Sequence, residues 1–223
     1  MINGKEMILW VAETAKWAVG KENVYIATEN QEIVDVVKKY GWKVILTSDD
    51  CPTGTDRVAE AALEIDADFI INVQGDEPFV NPDDILKVAD QMENGDHREV
   101  VNGLSPITNK EDFYDETIPK MISWDGLLKY ASRAPVPYPY GPTKELWNRE
   151  GKQQVCIYGF RRYHLERFLS RDKTPHEASE DIEILRFCEM NIPVRMLDLE
   201  GSPIHVDTPE DLERAQIIAK DYA

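Results

Sequence analysis

Apolar positions along the first hundred residues change period in a regular alternation. Ile8, Val11, Ala12 and Ala15 recur at helical spacing and predict a helix over 7–18. The short apolar run VYIAT at 24–28 predicts a buried strand, and QEIVDVVKKYG a helix that stops at Gly41. KVILT at 43–47 is a second strand, TDRVAEAALEI a helix, and DFIINV at 68–73 a third strand. Asn81 followed by Pro82 opens the next helix, an N-cap ahead of a proline whose missing N–H costs nothing there. Nearly continuous apolar strands alternating with helices predict an α/β protein with a doubly wound, mostly parallel sheet.

From Val100 the alternation breaks. KMISW and LLKYASR predict paired strands around a turn at Asp125-Gly126. The Pro- and Gly-rich stretch at 134–154 is too long for a routine connection and reads as a functional segment or an oligomer contact. VCIYGF predicts a strand, 163–169 and 179–190 helices, VRMLDL the last strand, and 208–222 the last helix. With no repeat and no linker, residues 1–223 form one expected domain, its antiparallel part at about 120–160 projecting from the sheet.

Composition narrows the class. Hydrophobic residues at 42% and charged residues at 30% are globular values. A formal charge of −17 argues against a nucleic-acid partner, which requires a basic face. Cys51, Cys156 and Cys188 are widely spaced, odd in number and form no CxxC pair, so neither a disulfide framework nor a zinc site is indicated, which suits a reducing cytoplasm. The N-terminus lacks a signal-type apolar run and no stretch approaches the ~20 apolar residues of a membrane span.

Candidate chemistry gathers where strands end, the place ligands occupy in open α/β sheets. The strand DFIINV runs into Gln74, Gly75, Asp76, Glu77 and Pro78. These carboxylates either serve a turn before the helix at Pro82 or hold a hard cation. IHVDTPEDLERA repeats the arrangement, and Thr208 already caps the helix, leaving Asp207 for another task. Two strand-end carboxylates, Asp76 and Asp207, would suit one Mg²⁺ that completes its shell with phosphate and water. In TSDDCPTGTDR, Thr53, Gly54 and Thr55 offer hydroxyls and N–H groups ahead of a helix, as a nucleotide cradle or simply with Thr55 as N-cap. Cys51 reads as a small loop hydrophobe, and His176 and His205 as solvent or structural histidines.

Taken in order, TGTDR (53–57), NVQGDEP (72–78), YASRAPVP (130–137), IYGFR (157–161) and VDTPEDLER (206–214), after INGKEMI from Ile2, resemble the 3-deoxy-manno-octulosonate cytidylyltransferases, or CMP-Kdo synthetases. The resemblance implies a Rossmann-like nucleotidyltransferase, cytoplasmic and homodimeric, whose dimer contact would fall in the Pro/Tyr-rich excursion. It would transfer CMP from CTP to the anomeric hydroxyl of Kdo or a related 2-keto sugar acid, releasing pyrophosphate. On this match Asp76 and Asp207 are catalytic Mg²⁺ ligands, and Thr53, Gly54, Thr55 and Arg57 lie against the nucleotide. Gln74, Arg133, Tyr158, Gln154 and Glu183 would face the sugar acid, with Arg133 paired to its carboxylate.

Three departures accompany the match. The family's phosphate-binding signature, PAR…PGK, which precedes INGK, is not found, so CTP turnover by 1–223 is expected to be weak unless an upstream segment supplies it. Gln154 and Cys156 replace a histidine and a glycine before IYG, and Arg186-Phe187 a Glu-Gln pair; both changes are expected on the sugar side. A non-catalytic paralogue that binds nucleotide-sugar or pairs with a complete subunit is the alternative.

Overall fold

Local signals set the first half of the chain where periodicity placed it. The structure, a computed structural model, describes residues 1–138, 140, 151–202 and 204–222. It begins with α1 (Met7–Val19), β1 (Tyr25–Thr28), α2 (Gln31–Lys39), β2 (Lys43–Leu46), α3 (Gly54–Ala62), β3 (Phe69–Val73) and α4 (Pro82–Asn94). Side chains of Asn30, Thr53 and Asn81 accept the first free N–H groups of α2, α3 and α4. Helix α2 ends as expected: Gly41, at φ +72°, lets Trp42 N–H reach back to Val37 O.

The second half supplies β4 (Val100–Pro106), α5 (Lys110–Tyr114), β5 (Lys120–Trp124), β6 (Leu127–Ser132), β7 (Lys152–Arg161), α6 (Arg162–Leu169), α7 (Pro175–Glu180), α8 (Ile184–Glu189), β8 (Val194–Asp198) and α9 (Pro209–Ile218). The expected hairpin is present, with Asp125 and Gly126 both at positive φ between β5 and β6. The helix expected over 179–190 is two helices, because Asp181 adopts the left-handed conformation at φ 52° and ends α7. Most of the Pro/Tyr-rich excursion, and with it the expected dimer contact, lies outside the described residues.

The fold is α/β, but its sheet corrects the expectation of mostly parallel strands. Strands β1 and β2 form a parallel pair of their own. The remaining six lie in the order β3-β7-β4-β8-β6-β5, with β5 also meeting β7, so the sheet is mixed and barrel-like. Within it only β4–β8 is parallel. An apolar run signals burial on both faces and says nothing about the direction of its neighbours. Strands β5 and β6 pair antiparallel, as expected, and meet the main sheet where Lys120 lies opposite Gln153 and Leu127 opposite Arg195.

Strand β4, which sequence patterning missed, lies between β7 and β8 in that sheet. Its sequence VVNGLSP contains polar and turn-forming residues, yet all but Pro106 are buried. Asn102 explains this. The register shifts between Asn102 and Gly103, and the Asn102 amide donates to Val155 O at 2.9 Å and Ile157 O at 3.0 Å across the irregularity. Its oxygen accepts from Gln154 Nε2 at 3.0 Å. Helix α4 then packs directly on β7: a Cβ at Gly159 would stand 2.6 Å from Met92 Sδ. On the other face, Tyr158 stacks on Phe160, and Phe160 on Phe187, in a core shared by α3, α6 and α8.

We expect Asn102→Ala to strip buried carbonyls of their donor and lower stability by about 2–4 kcal/mol, read as a lower urea midpoint at unchanged slope. A second expectation concerns His164, fully buried, whose Nδ1 accepts from Arg161 N–H and whose Nε2 faces Arg98 O. Burial pushes its pKa from 6.5 down to about 4. The unfolded chain therefore binds the extra proton first, so stability falls as pH drops through 6.5 and levels off near 4. His164→Gln should flatten that part of the stability–pH curve.

Candidate active site

Beyond β3 the chain leaves the sheet through Gln74 and Gly75 and presents Asp76 and Glu77. Asp76 Oδ1 is buried and lacks a hydrogen-bond partner. Burial raises the Asp76 pKa, and the neighbouring Asp207 charge adds to the rise while His205 opposes it. The segment ahead of Asp207, which forms no strand, is joined to the end of β3, since Val206 N–H donates to Asp76 O at 3.0 Å. Thr208 and Asp211 cap α9 reciprocally, as the sequence suggested, and the exposed Asp207 side chain takes no part in that cap. A donor-starved carboxylate oxygen beside a second, solvated carboxylate fits a hard divalent cation.

The TGTDR loop meets this region from the other side. Its N-cap is Thr53, not Thr55: Thr53 Oγ1 accepts from Asp56 N and donates to Asp56 Oδ2. Thr55 is buried instead, with its N–H donating to Glu183 Oε2 at 2.7 Å. Burial raises the Glu183 pKa and the Thr55 contact opposes it. A Cβ at Gly54 would stand 3.3 Å from Glu183 Oε1 and 3.9 Å from Gln74 Nε2, so the starts of α3 and α8 and the end of β3 converge here. Arg57 turns away from this point, with its guanidinium on Thr47 Oγ1, Ser48 O and Glu29.

Behind the loop, Arg186 is 1% exposed and forked between two carboxylates. Its Nη1 and Nη2 reach the two oxygens of Asp56 at 2.9 and 3.1 Å, and its Nε and Nη2 those of Glu177 at 2.7 and 2.6 Å. Phe187 is a core residue. Neither faces a sugar, which corrects that expectation. Arg186 fixes Asp56, Asp56 fixes Thr53, and the loop geometry follows.

The residues expected on the sugar side separate into two groups. Gln74 stays at the loop, and Gln154, though buried, borders a small cleft with Glu77, Ser105, Gly201, Ser202 and His205. Tyr158 does not line an open pocket; it is 2% exposed within the core, and burial holds its hydroxyl well above the ordinary tyrosine range. Arg133 does not present a free guanidinium. It donates to the main-chain carbonyls of Glu180, Glu116, Thr117 and Asp181 and so ties β6 to α7 and to the turn before β5. A groove of about 500 Å³ around Arg98, Tyr163 and Arg167 shares no residue with this site.

Among the minor expectations, Cys51 donates to Glu60 and its thiol is pushed up to about 11 by burial and that carboxylate, which makes it inert. His176 pairs with Glu189 at 2.8 Å, a structural contact. His205 is 45% exposed and its Nδ1 stands 3.3 Å from Glu77 Oε1. Glu77, which could have been a plain turn residue, is fully buried. The residues that bring these groups together are distant in sequence, so no spacing rule could have paired them.

With this geometry in view, comparison with known proteins is informative. The solved structure of CMP:2-keto-3-deoxy-manno-octonic acid synthetase complexed with CTP superposes with a TM-score of 0.91 at 29% identity, over 100% of this chain and 91% of that one. The fold is that of a nucleotidyltransferase. A family profile described as Cytidylyltransferase matches residues 1–198, and the chain belongs to that family. Relatives named 3-deoxy-manno-octulosonate cytidylyltransferase include one from Acaryochloris marina, 34% identical over 97% of this chain and 88% of its own length. Another, from Rickettsia bellii, is 36% identical over 87% of this chain and 78% of its own.

Replacing Arg186 with Met should leave two buried carboxylates without a counter-charge and cost about 3–5 kcal/mol in urea unfolding. Adding Asp56→Asn and Glu177→Gln to Arg186→Met should recover much of that loss, because the cost lies in the stranded charges.

Proposed function

We propose that this protein transfers CMP from CTP to the anomeric hydroxyl of Kdo or a closely related 2-keto sugar acid, releasing pyrophosphate. The names of its relatives and the CTP complex of its structural neighbour support the substrates. The observation that carries the reading is the Val206–Asp76 hydrogen bond, which brings the segment leading to Asp207 against the end of β3, where a buried oxygen of Asp76 lacks a donor.

Asp76 and Asp207 would hold Mg²⁺, which supplies charge neutralisation at the phosphates and lowers the cost of ionising the attacking hydroxyl. The remaining work is positioning. Gly54 leaves room against Gln74 and Glu183, and the Thr53–Arg57 loop, pinned by Arg186, offers its surface to the nucleotide. Gln74 and Gln154 are the polar groups we assign to the sugar. Arg133 acts through the segments it ties together rather than by meeting the sugar carboxylate itself. In the reaction the sugar oxygen forms the bond to the α-phosphorus, the bond to pyrophosphate breaks, and the hydroxyl proton leaves to solvent.

The same reading makes the enzyme a cytoplasmic homodimer. Tyr138, within the excursion, is exposed and supports a contact there. Sedimentation at micromolar concentration should show the dimer. No helix among the described residues is long and apolar enough to cross a membrane.

Pyrophosphate release from CTP, measured with Kdo, its 8-amino analogue and a nonulosonate, tests the function. Asp76→Asn and Asp207→Asn should each lower turnover about 10²-fold or more, as for loss of transition-state charge stabilisation. Full activity in Asp207→Asn would confine that residue to the helix start and overturn the assignment.

A further inference from the structure

A second set of donor atoms lies beside the carboxylate pair. We propose that Glu77, Cys156 and His205 form a site for a soft divalent transition-metal ion of the zinc class, distinct from the hard-cation pair Asp76–Asp207.

Three parts of the fold deliver these residues. Glu77 follows β3, Cys156 lies in β7, and the register of β3 on β7, with Val73 opposite Ile157, brings the two together. The Val206–Asp76 hydrogen bond draws His205 onto the same spot. One donor atom from each residue, carboxylate oxygen, Sγ and imidazole nitrogen, lies within 4.8 Å of the other two. Ligands at about 2.0–2.3 Å in a tetrahedral zinc shell stand roughly 3.3–3.8 Å apart. The His205 Nδ1 to Glu77 Oε1 separation is already 3.3 Å. His205 is 45% exposed and free to adjust, so closing the remaining distance requires one side-chain movement.

Glu77 is the independent sign of a ligand. Its side chain is 0% exposed, and the polar groups beside its carboxylate are those of His205 and Cys156. A carboxylate buried in that state is costly unless a counter-charge meets it. No Lys or Arg among the described residues makes an ion pair with it; its basic neighbour is His205. A divalent ion would satisfy both oxygens' environment and the imidazole at once.

The donor set chooses the ion. Mg²⁺ and Ca²⁺ take oxygen ligands, whereas a thiolate and an imidazole select zinc-like metals. Three protein ligands leave a fourth position, and it opens on the cleft bordered by Gln154, Ser105 and Ser202. The sequence neighbours Asp76 and Asp207 remain available for the hard cation.

The test uses the full chain, reduced and freed of metal by chelator, titrated with Co²⁺ as a spectroscopic probe and then with Zn²⁺. Saturation at about one ion per chain is expected, with thiolate-to-cobalt charge-transfer absorption and the intense visible bands of a tetrahedral ion. Zn²⁺ should displace it and excess Mg²⁺ should not. Cys156→Ser should abolish the charge-transfer band, and His205→Ala should weaken binding roughly 10-fold or more. Asp76→Asn and Asp207→Asn should leave the band in place. Three results would overturn the proposal: no charge-transfer band in the unmodified chain, a band that survives Cys156→Ser, or binding lost with Asp207→Asn and kept with His205→Ala. Because the readout is spectroscopic, loss of cytidylyltransfer alone would leave this site standing, and failure of this site would leave the proposed reaction standing.

Discussion

A strand buried in a sheet must find partners for its N–H and C=O groups along both edges, and β7 meets that demand with three neighbours. One edge is given to β4, while the other passes from β5 near Lys152 to β3 toward Arg161. Because β5 continues through β6 and β8 back to β4, sharing one edge of β7 in this way draws the sheet toward a closed form. Much else follows from it. Cys156 reaches the end of β3, Tyr158 and Phe160 enter the core under α8, and Gly159 admits α4. The carboxylates after β3 are held at a fixed height by this strand.

Charge is distributed on a similar logic. The chain carries a net −17, yet several of its cations are spent internally. Arg186 neutralises Asp56 and Glu177, Arg133 serves four carbonyls, and the buried Lys120 donates to Asp115 O, Ile118 O and Arg133 O. These groups brace loops around the site; they are not aimed into it. In the region around Asp76 and Asp207 the described groups are chiefly carboxylates and amides. Such a site meets polyanionic substrates through cations from solution, and its own residues set where those cations rest.

Most local structure was legible in the sequence because its causes are local. Asn30, Thr53 and Asn81 cap helices by contacts two or three residues long, and Asp125-Gly126 turns a hairpin by its own backbone preference. Asp76 and Asp207 could be singled out because each follows an apolar run, although only the run before Asp76 forms a strand, β3. Strand direction could not be read, since Ile70 or Ile157 would be apolar beside a parallel or an antiparallel neighbour. Strand β4 was hidden because Asn102 looks like a surface residue until the carbonyls of Val155 and Ile157 are placed beside it. The partners of Arg133, Tyr158 and Arg186 were not legible for one reason: carbonyls of Glu116 and Glu180, the aromatic core, and the carboxylates of Asp56 and Glu177 come from distant segments. The convergence of Glu77, Cys156 and His205 depends on β3–β7 register and on one loop hydrogen bond, neither of which has a sequence signature.

The irregularity at Asn102-Gly103 has a bearing on how such a chain can diverge. Side chains alternate between sheet faces, and β4 keeps Val100 and Leu104 on one core face, while β7 takes up the irregularity with Cys156 and Ile157, which have no partner on β4. A single-codon deletion in β4 at Asn102 or Gly103 would not merely shorten a strand. It would turn Leu104 and Ser105 to opposite faces, misalign the parallel pairing with β8, and shift the chain leading to Lys120. Lineages descending from this sequence can therefore exchange side chains along β4 one at a time, but a change of length at this point is open to them only if β7 or β8 changes length in the same step.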